Sequence, residues 1–186
     1  MEKICIAVPV RPPVPHNSSN GTLWKVDDNR ISLHEPHGKP ISGISYAFDH
    51  VFDEGCTNSR VYELLTKDII HAAELRLLNG RTSSGKTFTI FGSETSPGII
   101  HQAVRDVFDR TQMMSHREFL IRVSYMELYN EEINDLFAVE NQKLQIHESL
   151  ERGIYVAGLR EEIVSNAEQV LKLIESGEDL HFETKT

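Results

Sequence analysis

Residues Gly80-Arg81-Thr82-Ser83-Ser84-Gly85-Lys86-Thr87 form a segment whose residue types and spacing specify a chemistry. They match G-x-x-x-x-G-K-[ST] in full, and each element has a physical task. The glycines let the backbone turn tightly, so that successive amide groups point into one concavity and meet phosphate oxygens where a helix begins. Lys86 supplies a point charge for the β- and γ-phosphates, and Thr87 a hydroxyl for the Mg²⁺ that bridges them. A glycine-serine loop also produces such a pattern by chance. The helical pattern before it and the α/β pattern around it favour descent from a phosphate-binding loop.

Other constellations are weaker. Nine histidines are present, and His34-Glu35-Pro36-His37 is the tightest cluster. Pro36 and Gly38 make that segment a turn with no cysteine or third ligand near, so exposed turn histidines are expected and not a metal site. No Ser/His/Asp arrangement can be argued from spacing, and no catalytic residue is assigned. Acidic residues 161, 162, 175 and 178 read as a solvated face.

Elements must hold the loop in place. Ile4 to Val10 reads as a buried strand in which Pro9 removes a ladder donor, which argues for an edge position or a distortion. Leu23–Val26 and Arg30–Leu33 flank Asp27-Asp28-Asn29 as a hairpin, and Ile44–Phe48 is another strand. Apolar residues at Val61, Leu64, Leu65, Ile69, Ile70 and Ala73 recur at helical spacing, with Asn58 or Ser59 as N-cap. The stretch from residue 59 to 78 therefore reads as largely helical, without the supporting strand a phosphate loop hangs from. A second helix runs from Ile99 to about Arg110, after Pro97-Gly98. Phe119–Met126 is the best central strand, Asn130–Phe137 a short helix, and 144–146 and 154–156 short strands. A last helix from Ala167 closes at Ser176-Gly177, leaving Glu178–Thr186 as an unsupported polar end. This order of elements is α/β.

Composition sets the class of partner. The 186 residues carry 19 Lys and Arg against 28 Asp and Glu, a formal charge of -9, which makes nucleic acid a poor partner. Binding to any acidic surface would need a basic patch that the net charge does not advertise. No apolar window is long enough for a membrane span. Without a secretory signal pattern at the start, the expected compartment is cytoplasmic, and Cys5 and Cys56 are expected as packed, reduced thiols.

Together these motifs resemble the kinesin motor domain. The resemblance runs from Ala7-Val8-Pro9-Val10-Arg11-Pro12-Pro13 through Tyr46-Ala47-Phe48-Asp49-His50-Val51-Phe52 and the phosphate loop with Phe88-Thr89. It continues in Pro97-Gly98-Ile99-Ile100, in Ser124-Tyr125-Met126-Glu127-Leu128-Tyr129-Asn130-Glu131-Glu132-Ile133-Asn134-Asp135-Leu136, and in Gly153-Ile154-Tyr155-Val156-Ala157-Gly158-Leu159. Within kinesins the chain is most similar to the plant centromere-associated, CENP-E-like class. The resemblance implies a P-loop NTPase-like kinesin motor fold over residues 1–186, a mixed central sheet flanked by helices and incomplete at its C-terminal side. It implies ATP and Mg²⁺ as ligands, with Gly80, Arg81, Thr82, Ser83, Ser84, Gly85, Lys86 and Thr87 around the phosphates and metal, and Arg11, Pro12 and Phe88 around the adenine. A ring at position 88 against Pro12 would make an apolar slot for a flat base. Glu127, Tyr129 and Asn130 read as scaffold.

The implied activity is ATP hydrolysis coupled to movement along microtubules, with a cytoskeletal location. Three departures bear on it. Pro9 stands where the family's R-x-R-P motif has its first arginine. The Gly-rich aromatic segment leading into the loop is reduced to Leu78-Asn79-Gly80-Arg81. The switch motifs that sense γ-phosphate are not found before Thr186. The alternative expectation is therefore a non-motile nucleotide-binding remnant or splice product, unable to turn over ATP at a motor's rate.

Overall fold

A strand needs donors on both edges to be central, and Pro9 denies one to β1 (Ala7–Pro9). The computed structural model describes residues 5–10, 23–72, 86–93 and 95–184, with the backbone alone at 69, 71, 72, 86, 87 and 179–184. Two compact units divide the chain at Ala103 and Val104.

In the first unit, β2 (Leu23–Asp27), β3 (Arg30–His34) and β4 (Pro40–Ala47) form a three-stranded antiparallel sheet. The expected hairpin is present, turning at Asp28, which takes a left-handed φ of 51°. Period-two alternation puts Trp24, Val26, Ile31, Leu33 and Tyr46 on one face, where the Trp24 and Tyr46 rings lie 6.5 Å apart. The strand β5 (His50–Phe52) pairs with β1 in parallel. Val10 N–H donates to the Phe52 carbonyl at 2.9 Å, so strand alternation turns the Pro9 nitrogen away from β5. The missing donor thus costs this ladder nothing.

Helix α1 (Asn58–Leu65) begins one residue earlier than expected, on Thr57, whose hydroxyl accepts from the Arg60 amide at 3.3 Å. Thr57 takes the cap because the Asn58 side chain is engaged elsewhere. The helical run then breaks at Thr66, where the amide closes on the Tyr62 carbonyl, and α2 (Lys67–Ala72) follows. Residues 73–85, including Leu75 to Asn79, lie outside the described residues. Phe52, Val61, Tyr62 and Ile99 make the core, with Ala7, Cys56, Leu65 and Ala103 against it. Each large side chain so buried contributes about 1.5–3 kcal/mol. Two further helices, α3 (Lys86–Ile90) and α4 (Ile99–Met113), follow.

The second unit corrects three expectations. The long Phe119–Met126 run is not one strand: β6 (Ile121–Val123) sits in one antiparallel ladder, Met126 opens another, and Phe119 and Leu120 are exposed. The run divides because the Tyr125 carbonyl accepts from Leu136 N–H at 2.8 Å, which turns the chain into the next hairpin. That hairpin, β7 (Met126–Tyr129) and β8 (Glu132–Asp135), replaces the short helix expected from Asn130. Asn130 and Glu131 both have positive φ, 49° and 65°, the primed two-residue turn whose twist suits paired strands. Cross-strand pairing and burial of Ile133 and Asp135 outweigh the helical preference of glutamate.

Strands β9 (Gln145–Ser149) and β10 (Gly153–Ala157) form the next hairpin, and β11 (Glu162–Val164) pairs with β6. The parallel β1–β5 pair beside these antiparallel ladders makes the strand arrangement mixed, within an α/β fold. Asp135, 1% exposed, accepts from the Phe137 and Arg160 amides at 2.9 and 2.7 Å, and from Asn141 Nδ2 at 3.4 Å. One carboxylate thereby ties three chain segments together.

The last helix, α5 (Ala167–Thr184), passes through Ser176-Gly177, where the sequence predicts a stop. Gly177 serves packing. A Cβ there would lie 2.8 Å from the Leu136 carbonyl oxygen and 3.3 Å from the Tyr125 ring. Nor is Glu178 an unsupported end, since its carboxylate accepts the Tyr125 hydroxyl. Burial, then that bond and neighbouring carboxylate charge, push the Tyr125 hydroxyl above its usual range. Replacing the left-handed Glu131 by Gly should raise stability by about 0.5–1 kcal/mol. Chemical denaturation of the two chains checks this.

Candidate functional site

The phosphate-loop sequence leads into α3, whose first two residues are Lys86 and Thr87. Gly80, Arg81, Thr82, Ser83, Ser84 and Gly85, and likewise Arg11 and Pro12, lie outside the described residues. Phe88, the expected adenine neighbour, is 56% exposed on α3. The strand β1 runs toward Arg11 and is held at its end by the Val10–Phe52 bond.

Five residues cannot sustain a helix by themselves, since nucleation costs more than one turn returns. Contacts at its far end hold α3. Gly98 N–H donates to the Phe91 carbonyl at 3.1 Å, while Ser93 and Ser96 exchange backbone bonds at 2.9 and 3.2 Å. Gly92 and Gly98 lie face to face: a Cβ on Gly92 would come 2.2 Å from Gly98 N, and one on Gly98 would come 2.3 Å from the Ile90 carbonyl oxygen. Gly92 also has φ 82°, which a side chain would strain. Asn58, 4% exposed, reaches from α1 to donate through Nδ2 to the Phe88 carbonyl at 3.0 Å and the Ser96 carbonyl at 3.3 Å.

Sequence reasoning takes Asn58 for a helix cap and passes over Gly92. The available signal is two glycines six positions apart around Ser93-Glu94-Thr95-Ser96-Pro97, directly after the motif. Among the other candidates, both ring nitrogens of His34 are engaged, with Ser32 Oγ at 2.9 Å and the Gly38 carbonyl at 3.1 Å. Among the described residues no group of three or more His, Cys, Asp and Glu is placed to hold a metal. Cys56 packs against the core and its thiol is pushed up by burial and by Asp53, whereas Cys5 is exposed and not packed as expected.

A kinesin motor domain family profile matches residues 10–186. The chain belongs to the kinesin motor domain family. It is 69% identical over 98% of its length to Kinesin-like protein KIN-7N of Arabidopsis thaliana, and 54% identical, over 98%, to Kinesin-like protein KIN-7L of Oryza sativa subsp. japonica. It spans 23% and 31% of those relatives' lengths. A solved kinesin, "Structure of a fast kinesin: Implications for ATPase mechanism and interactions with microtubules", matches 95% of this chain and 52% of its own, with TM-score 0.76 and 28% identity. The α/β fold is therefore that of kinesin motor domains. In this kinesin chain Gly92 and Pro97 form an antiparallel bridge just beyond α3.

Gly98→Ala should displace the Ile90 carbonyl and cost about 3 kcal/mol. Urea unfolding followed by circular dichroism measures it.

Proposed function

We propose that this chain carries the nucleotide-binding part of a microtubule-based kinesin motor. The observation that carries the reading is that the motif Gly80 to Thr87 runs into a helix at Lys86, in a chain of this family. The first amides of α3 have no carbonyl one turn back within the helix, the chemistry that suits a phosphate. Lys86 and Thr87 are proposed to hold the β- and γ-phosphates and Mg²⁺, Gly80 to Gly85 to wrap the phosphates, and Arg11, Pro12 and Phe88 to border the adenine. ATP and Mg²⁺ together supply the transferable phosphoryl group and its charge neutralisation. This chain's own residues bind and orient them.

Microtubules are the proposed partner and the cytoskeleton the proposed location, following the family and the microtubule interactions named for the solved fast kinesin. A formal charge of -9 puts the burden of attraction on a local basic patch. The finer class, a centromere-associated CENP-E-like kinesin, rests on motif resemblance; the relatives bear the KIN-7 name.

Titration calorimetry with Mg²⁺ and ATP tests the site. The parent should bind and Lys86→Ala should not; equal binding by both would show that the loop is not the site. Microtubule co-sedimentation with and without ATP tests the partner, and nucleotide binding without co-sedimentation would leave the non-motile alternative.

A further inference from the structure

We propose that Asn58 is a positioning residue for the phosphate loop: a buried amide on α1 that fixes the end of α3 and, through it, the start of α3 at Lys86 and Thr87. The inference rests on the nucleotide reading above only for its functional consequence, since the clamp itself is a matter of geometry.

The last carbonyls of any α-helix lack intrahelical donors. In α3, Phe88 is two residues from the end at Ile90, so its carbonyl is one of these orphans. Asn58 Nδ2 supplies the donor at 3.0 Å. Its second proton serves the Ser96 carbonyl at 3.3 Å, with Ser96 Oγ nearby at 3.4 Å. Two N–H groups thus meet one acceptor in α3 and one between Gly92 and Gly98. The bonds span 30 and 38 positions of sequence. They join α1, capped by Thr57 and packed in the core, to a helix too short to stand unaided.

Asn58 is 4% exposed, and Val61 and Tyr62, one turn further along α1, lie in the core. The amide is therefore anchored at its base, and its two acceptors must come to it. Aspartate at this position would present oxygen to oxygen, and alanine would leave both carbonyls without their donor. In either case Phe88 loses the bond that sets its place, and Lys86 lies two residues away on the same short helix. Displacement of a phosphate-contacting lysine by a fraction of its side chain's length is enough to weaken binding severely.

The test has an arm that needs no nucleotide and no variant. In the parent chain, the Asn58 side-chain amide protons, observed by NMR, should exchange with solvent far more slowly than those of the exposed Gln142; equally fast exchange would overturn the clamp. The second arm compares Asn58→Ala with the parent by calorimetry with Mg²⁺ and ATP, and by amide hydrogen exchange. The expected result is an affinity loss of about tenfold or more, with faster exchange confined to residues 88–98 and unchanged protection at β7 and β8. Parent-like affinity in Asn58→Ala, while Lys86→Ala abolishes binding, would overturn the positioning role and leave the nucleotide site standing. Binding retained by Lys86→Ala would instead sink the site, and the proton-exchange arm would still decide the clamp.

Discussion

A helix of five residues has no stability of its own, and the first unit is arranged around that deficit. The phosphate-loop motif ends in such a helix, so whatever holds it from behind decides where Lys86 and Thr87 stand. The glycine pair at 92 and 98 lets backbone meet backbone, and Asn58 donates to the Phe88 and Ser96 carbonyls. The core of Phe52, Val61, Tyr62 and Ile99 gives those contacts a rigid footing, because it packs α1 and the first turn of α4 against β5. Sequence, short helix, clamp and proposed ligand site form one chain of dependence.

The second unit uses polar knots in the same way. Asp135 gathers amides from residues 137 and 160 and the side chain of Asn141, and Arg160 in turn donates to the Phe137 carbonyl at 3.1 Å. Gly177 allows α5 to lie against the backbone at Leu136, next to the bond between Tyr125 and Glu178. Short ladders with few buried apolar side chains need such fixed points, because burial alone contributes little to each pair of strands.

The family, the fold class and most elements of the first unit could be read from residues alone. The hairpin at Asp28, the helices beginning near residues 58 and 99, and the hairpin strands near 145 and 154 follow from alternation and helical spacing. What failed was local propensity overruled by tertiary contact. Asn130-Glu131 lacks the glycine that marks a primed turn, so its glutamates read as helix. Gly177 reads as a stop, because nothing in the sequence tells a glycine placed for close packing from one placed to end a helix. Asn58 reads as a cap for the same reason: the partners that give it a task lie 30 and 38 residues away. The motif is visible in the spacing, whereas the contacts that hold the helix after it are not.

Backbone amide exchange of the chain without nucleotide tests most directly the claim that α3 is held by its surroundings and not by its ligand. The Gly98 amide, bonded to the Phe91 carbonyl, should be protected to the same degree as the amides of α1 around Val61 and Tyr62. Rapid exchange throughout residues 88–98, beside a protected α1, would contradict that claim.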